Sequence, residues 1–130
     1  MVSYRTPLGQ ARGLGSAKHG VGAWLTERVT SVALVPLSLW GVFSAISLSR
    51  VGYDETLIWL HAPVNAVLAA LLAVVSFQHM HAGLRVVVED YIHKPTSKAL
   101  LLLLNLFVCV LGPALAVFCI LKVALTGGAV

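Results

Sequence analysis

Charge is what this sequence has least of. Nine Lys and Arg and five Asp and Glu make 11% of 130 residues charged, while 58% are hydrophobic and the mean hydropathy is +0.91. A soluble domain carries about a quarter charged residues. A small soluble fold also has too much surface for its volume to hide this much apolar side chain. The solvent for most of the chain is therefore lipid, and the length fits one domain. Cysteine is nearly absent. Cys109 and Cys119 lie ten residues apart in an apolar run, roughly 15 Å along one helix and too far for a disulfide there. No CxxC or iron–sulfur spacing occurs, so both read as small apolar side chains. Acids are missing from the first 26 residues. A mitochondrial presequence is also basic and acid-poor, but the glycines of GLGSAKHGVG do not suit its amphipathic helix. No short apolar stretch of signal-peptide type precedes the first long one. The net charge of +4 comes without a basic patch interleaved with aromatics, which argues against nucleic acid.

What is present is three long apolar runs. The first is Val29–Leu48, 20 residues without a charge, enough to cross a hydrocarbon core. Pro36 inside it is tolerable where neighbouring groups re-satisfy the freed carbonyl. The second lies loosely within residues 57–88, with Pro63 suited to a first helical turn and its driest part at Val64–Phe77. The third runs from about Ala99 to Ala124, with Thr96 or Ser97 as a candidate cap and a bend expected at Gly112–Pro113. Residues 1–28 form a basic, Gly-rich head and 125–130 a short tail. Lys and Arg set the expected orientation. Arg5, Arg12, Lys18, Arg28, Arg85, Lys94 and Lys98 fall on one side and Arg50 and Lys122 on the other, seven against two. The N-terminus and the second loop are then cytoplasmic and the C-terminus periplasmic.

The second run carries the chemistry, in the string HMHAGLRVVVEDY, His79–Tyr91. At about 100° per residue, His79, Gly83 and Asp90 share one stripe of a helix, with His79 roughly 16 Å deeper than Asp90. An ionisable group within the bilayer is a functional candidate by default. An imidazole there has three uses: ligating a metal or haem iron, relaying protons, or bonding a neighbouring helix. Gly83 leaves room for a flat macrocycle beside an axial His, but glycine equally serves close helix packing. His81 points about 200° away and belongs to another face. Asp90 and Tyr91 put an acceptor and a phenol donor at the membrane edge, the pairing a quinone head group needs. Tyr is also a common interface anchor. Arg28 is a candidate partner for a propionate or a quinone oxygen, and also a positive-inside marker. His93, at the same edge, fits a proton route or a solvated loop.

Together, His79-x-x-x-Gly83, then Asp90-Tyr91 at the end of the second of three spans, the Arg28-x-Thr30 opening and the GLGSAKHG head resemble one family. It is the small membrane-anchor subunit of succinate dehydrogenase (respiratory complex II), in its alphaproteobacterial form. The likeness covers Thr6 to Lys122. It implies an all-α integral membrane fold of three transmembrane helices, packed with a second, cytochrome b-type anchor subunit around haem b. It implies that His79 is this chain's axial ligand to the haem iron and that Tyr91 and Asp90 serve the ubiquinone pocket, while Gly83 and Arg28 stand as candidates for haem packing and a propionate contact. Succinate oxidation, FAD and the iron–sulfur clusters then sit on partner flavoprotein and iron–sulfur subunits, at the bacterial inner membrane. His81 does not match the ligand spacing, and Arg85 has no counterpart in the pattern. Two other readings share the architecture: an anchor of fumarate reductase type, and a scaffold or assembly protein without a redox role. A transporter is disfavoured by the lack of an inverted repeat.

Overall fold

A computed structural model describes residues 4, 6–13 and 20–126. Arg5, Lys18, most of the GLGSAKHG stretch and the end of the tail lie outside the described residues. Helix α1 (Pro7–Ala11) is a single capped turn in which Gly9 N donates to Thr6 Oγ1 at 3.1 Å. Gly20, at φ 118°, turns the backbone into a region that suits glycine and so sets the start of α2 (Val21–Leu48). A short α3 (Tyr53–His61) follows, then α4 (Pro63–Tyr91) and α5 (Pro95–Thr126). These are all helical elements, and α2, α4 and α5 are long and apolar enough to cross a membrane.

The boundaries differ from those read in the sequence. Residues 57–61, expected inside the second span, form the end of α3. Pro63 disfavours helix at the residue before it, and Ala62 is extended at ψ 123°. The corner is tied by Asn65 Nδ2 donating to Trp59 O at 2.9 Å, and by Trp59 stacking on Trp40 with centroids 5.7 Å apart. Helix α5 opens on Pro95, so Thr96 and Ser97 lie in its first turn rather than at a cap. Helix α2 begins eight residues before Val29, within the segment read as the head. At 1.5 Å per residue the three long helices measure roughly 42, 44 and 48 Å, against a hydrocarbon core of about 30 Å. Their ends therefore extend into the headgroup region, and Glu27, Arg28, Arg85, Glu89 and Asp90 lie toward the ends where α2 starts and α4 finishes.

Helix α4 is the centre of the arrangement. It packs against α2 on one side and α5 on the other, while α2 and α5 scarcely touch; α3 lies against α4 and α5. Only Thr30, Ala66, Asn105 and Cys109 are buried among the described residues. Two of these four are polar, and both join helices. Thr30 of α2 meets His79 of α4, and Asn105 Nδ2 of α5 donates to the His81 backbone carbonyl of α4 at 3.1 Å. Asn105 also accepts from the Cys109 thiol at 3.2 Å. Polar side chains hold helices together where lipid removes the hydrophobic drive between them. Small residues let the backbones approach: Gly41 against Leu72 and Gly112 against Phe77.

At Gly112 an added Cβ collides with ring carbons of Phe77, whereas at Gly41 it meets the flexible tip of Leu72 at 2.7 Å. Gly112→Ala is expected to destabilise the bundle by about 1–3 kcal/mol through overpacking. Gly41→Ala is expected to cost less. Thermal unfolding of the purified protein checks the order; equal effects at both positions would contradict it.

Candidate functional site

The unbroken α4 carries His79, Gly83, Asp90 and Tyr91 on one rigid rod. His79 is half-buried and faces α2, where its Nδ1 lies 3.1 Å from Thr30 Oγ1. The Thr30 hydroxyl has one proton, and two carbonyls compete for it, Thr26 O at 2.8 Å and Glu27 O at 3.0 Å. With its proton so engaged, Thr30 accepts from His79 rather than donating to it. His79 then carries its proton on Nδ1, and Nε2 keeps a free lone pair. That is the tautomer a metal-ligating imidazole needs, with the far nitrogen fixed by a hydrogen bond.

Gly83 follows one turn along. A Cβ placed there meets nothing within 4 Å, so no helix of this chain packs against it. Of the two uses of this glycine, close packing within the chain is not the one realised. The open surface beside an oriented imidazole suits a flat prosthetic group. Among the described residues no three His, Cys, Asp or Glu side chains cluster to hold a metal ion.

Asp90 and Tyr91 close α4, both exposed, with Tyr91 at 76%. The His93 ring turns back to the Tyr91 carbonyl, with Nδ1 at 3.2 Å. Lys98 Nζ donates to the Glu89 carbonyl at 2.9 Å, joining the end of α4 to the start of α5. The geometry does not bring Arg28 to His79. Arg28 and Thr30 are two residues apart, about 200° around α2. The Arg28 guanidinium instead lies 5.8 Å from the centroid of Trp24, so a propionate contact requires it to leave that ring.

Sequence reasoning missed two features. The role of Thr30 as partner to His79 depends on a contact across 49 residues, which no local pattern reveals. The second is a cleft of about 630 Å³ bordered by α2, α4 and α5, whose α4 lining runs round the helix from Val86 to His81. A sequence signal for it exists: His81, Arg85 and Glu89 recur at helical spacing on α4.

The comparisons agree with this architecture. The family described as Succinate dehydrogenase/Fumarate reductase transmembrane subunit matches residues 2–113. A succinate dehydrogenase hydrophobic membrane anchor subunit of Rickettsia conorii is 32% identical over 110 residues, 82% of this chain and 86% of the relative. The subunit of that name from Paracoccus denitrificans is 33% identical over 109 residues, 82% of each chain. That of Rickettsia bellii is 33% identical over 90 residues, 68% of this chain and 71% of the relative. Three apolar helices and bacterial relatives named as membrane anchors place the chain as a multi-pass protein of the inner membrane. Its sequence match, its three spans and their order make it a member of the succinate dehydrogenase/fumarate reductase transmembrane-subunit family, with the role of a membrane anchor.

Proposed function

We propose that this chain anchors a succinate:quinone oxidoreductase and shares a b-type haem and a ubiquinone site with its partners. The observation that carries this reading is the His79–Thr30 pair, which leaves Nε2 free beside the open surface of Gly83. A cytochrome b-type anchor subunit would supply the other ligand to the haem iron, and the iron–sulfur and flavoprotein subunits would dock on the cytoplasmic side. FAD and the iron–sulfur clusters stay on those subunits, which also oxidise succinate. Four of the described cations, Arg28, Arg85, Lys94 and Lys98, lie toward the end of the bundle where α2 starts, against Arg50 and Lys122 at the other. That bias supports a cytoplasmic N-terminus and a periplasmic C-terminus.

When bound between two imidazoles, the haem supplies a one-electron site with no open position for oxygen. His79 would hold the haem iron through Nε2, with Thr30 fixing the ring and accepting from Nδ1–H. Quinone reduction takes up two electrons and two protons. Tyr91 donates a hydrogen bond to the quinone carbonyl as negative charge grows on it. Asp90, on the stripe of His79 and at the aqueous edge, orients the pocket and passes protons from the cytoplasmic side.

The test is a reduced-minus-oxidised spectrum of the complex purified in mild detergent, for the native chain and for Thr30→Val. A b-type signal is expected in both. Without an acceptor for Nδ1–H the imidazole is a weaker base, so the midpoint potential rises. Haem transfer to a scavenging apoprotein speeds up by about tenfold or more, the usual size of such outer-shell effects. A native complex without haem would sink the reading. An unchanged potential and unchanged retention in Thr30→Val would sink the role given to Thr30.

A further inference from the structure

Helix α5 grips α4 at two points, and they bracket His79. Asn105 Nδ2 donates to the His81 carbonyl at 3.1 Å, and the Phe77 ring packs over Gly112. Phe77 and His81 are four residues apart and share one face of α4, while His79, midway between them, points to the opposite side. On α5, Asn105 and Gly112 are seven residues apart and also share a stripe. Helix α2 holds the far side of α4 through Thr30 and the His79 ring. Three of the four buried residues, Thr30, Asn105 and Cys109, belong to these two polar clasps. The clasps are linked only through α4, because α2 and α5 scarcely touch.

An amide in the run LLLLNLFVCV has no water to bond and must be satisfied by protein. Only one orientation of Asn105 does this. The His81 carbonyl can only accept, so Nδ2 faces it, and Oδ1 is left to accept from the Cys109 thiol at 3.2 Å. A helical carbonyl keeps a second lone pair after its own ladder bond, and the amide takes it. The bond goes to backbone, so it holds the helix itself rather than a rotamer of His81. Between helices in lipid, polar bonds and close packing replace the hydrophobic drive. A backbone clasp therefore sets how α4 is turned about its axis. The imidazole nitrogen of His79 stands roughly 6 Å from that axis, near the outer radius of a helix with its side chains. A turn of about 10° moves it by about 1 Å, enough to break the 3.1 Å contact with Thr30.

We propose that Asn105 is a positioning residue for His79. By holding the His81 carbonyl it fixes the setting of α4 at which the imidazole meets Thr30, and with it the tautomer that keeps Nε2 free. It acts through α4 rather than on a ligand. Cys109 has a lesser part, since its thiol joins two residues of α5 alone. Phe77 over Gly112 keeps the two helices together when the amide is lost, so the bundle survives while the setting of α4 loosens. The effect on haem rests on the function proposed above, whereas the coupling of Asn105 to Thr30 does not.

The experiment is a double-mutant cycle in the intact complex: native, Thr30→Val, Asn105→Leu and both together. Asn105→Leu keeps the size of the side chain and removes the donor. In Asn105→Leu, haem transfer to a scavenging apoprotein is expected to speed up severalfold, toward the about tenfold of Thr30→Val, and the midpoint potential to rise as it does there. The double variant is expected to match Thr30→Val alone, because Asn105 then has no contact left to position. Unfolding temperatures of the same four complexes should show shifts that do not add. Cys109→Ala should stay near the native transfer rate. An unchanged potential in Asn105→Leu, transfer rates that multiply in the double variant, additive unfolding shifts, or an effect of Cys109→Ala as large as that of Asn105→Leu would each overturn the proposal. A native complex without haem would sink the function proposed above, and the unfolding cycle alone then decides between the same two outcomes for Asn105. If Asn105→Leu does not assemble, Asn105→Ala removes the same donor without apolar bulk and is read in the same way.

Discussion

His79→Ala abolishes the b-type haem signal of the purified complex, and His81→Ala leaves it in place: that is the largest effect expected from this structure. The two imidazoles are two residues apart and chemically identical, so only their surroundings distinguish them. His79 has its Nδ1 fixed by Thr30 and its Nε2 free, beside the open surface of Gly83. His81 borders the cleft between α2, α4 and α5, and its Nδ1 is buried without a partner. A macrocycle on His81 would have to displace part of this chain's own packing. If His79 supplies one of the two nitrogens that hold a haem shared with a partner subunit, as proposed above, its loss would remove much of the binding free energy. The expected result is complex that assembles with little or no haem. Absorbance at the b-type bands, normalised to protein, checks it. Loss of haem in His81→Ala with retention in His79→Ala would reverse the assignment.

The second large effect is kinetic. Tyr91→Phe is expected to lower succinate–quinone reductase turnover by about ten- to a hundredfold, while succinate oxidation with an artificial acceptor continues at the native rate. The phenol ends α4 and is exposed in this chain, free to reach a molecule held between subunits. Removing one donor aimed at a developing oxyanion costs on the order of a hundredfold or more in well-enclosed sites. A pocket at the membrane edge is wetter, so the lower part of that range applies. Phe keeps the ring and its packing, so the change reads the hydroxyl alone. Loss of both activities together would mean a defect in assembly. Loss of neither would remove Tyr91 from the quinone site.

Much of the architecture was legible because membranes impose a simple rule: about 20 apolar residues per crossing, with backbone groups satisfied inside each helix. The runs around Val29–Leu48 and Ala99–Ala124 became α2 and α5 in this way. The second run misled at its start. Leu57, Ile58, Trp59 and Leu60 are as apolar as the residues after Pro63, and hydropathy alone does not see that this proline bars Ala62 from the helix. The stripe of His79, Gly83 and Asp90 was readable because it depends only on helical spacing within one element. Thr30 was visible as a motif residue but not as a partner of His79. Asn105 stood plainly in LLLLNLFVCV, yet its bond to the His81 carbonyl depends on how α5 leans against α4. Whatever depended on two helices meeting had to await their packing.

The order in which the helices meet has a consequence for biogenesis. Each polar clasp joins a residue to one synthesised later: Thr30 to a ring 49 positions on, and the His81 carbonyl to an amide 24 positions on. As the ribosome feeds the chain into the bilayer, α2 enters with its hydroxyl committed only to its own backbone and waits for α4. The hairpin of α4 and α5 then closes last. Because α2 and α5 scarcely touch, neither can stand in for the central helix. A nascent chain stopped before α4 has only the stack of Trp40 on Trp59 to join its helices, whereas one stopped after it already holds the oriented imidazole.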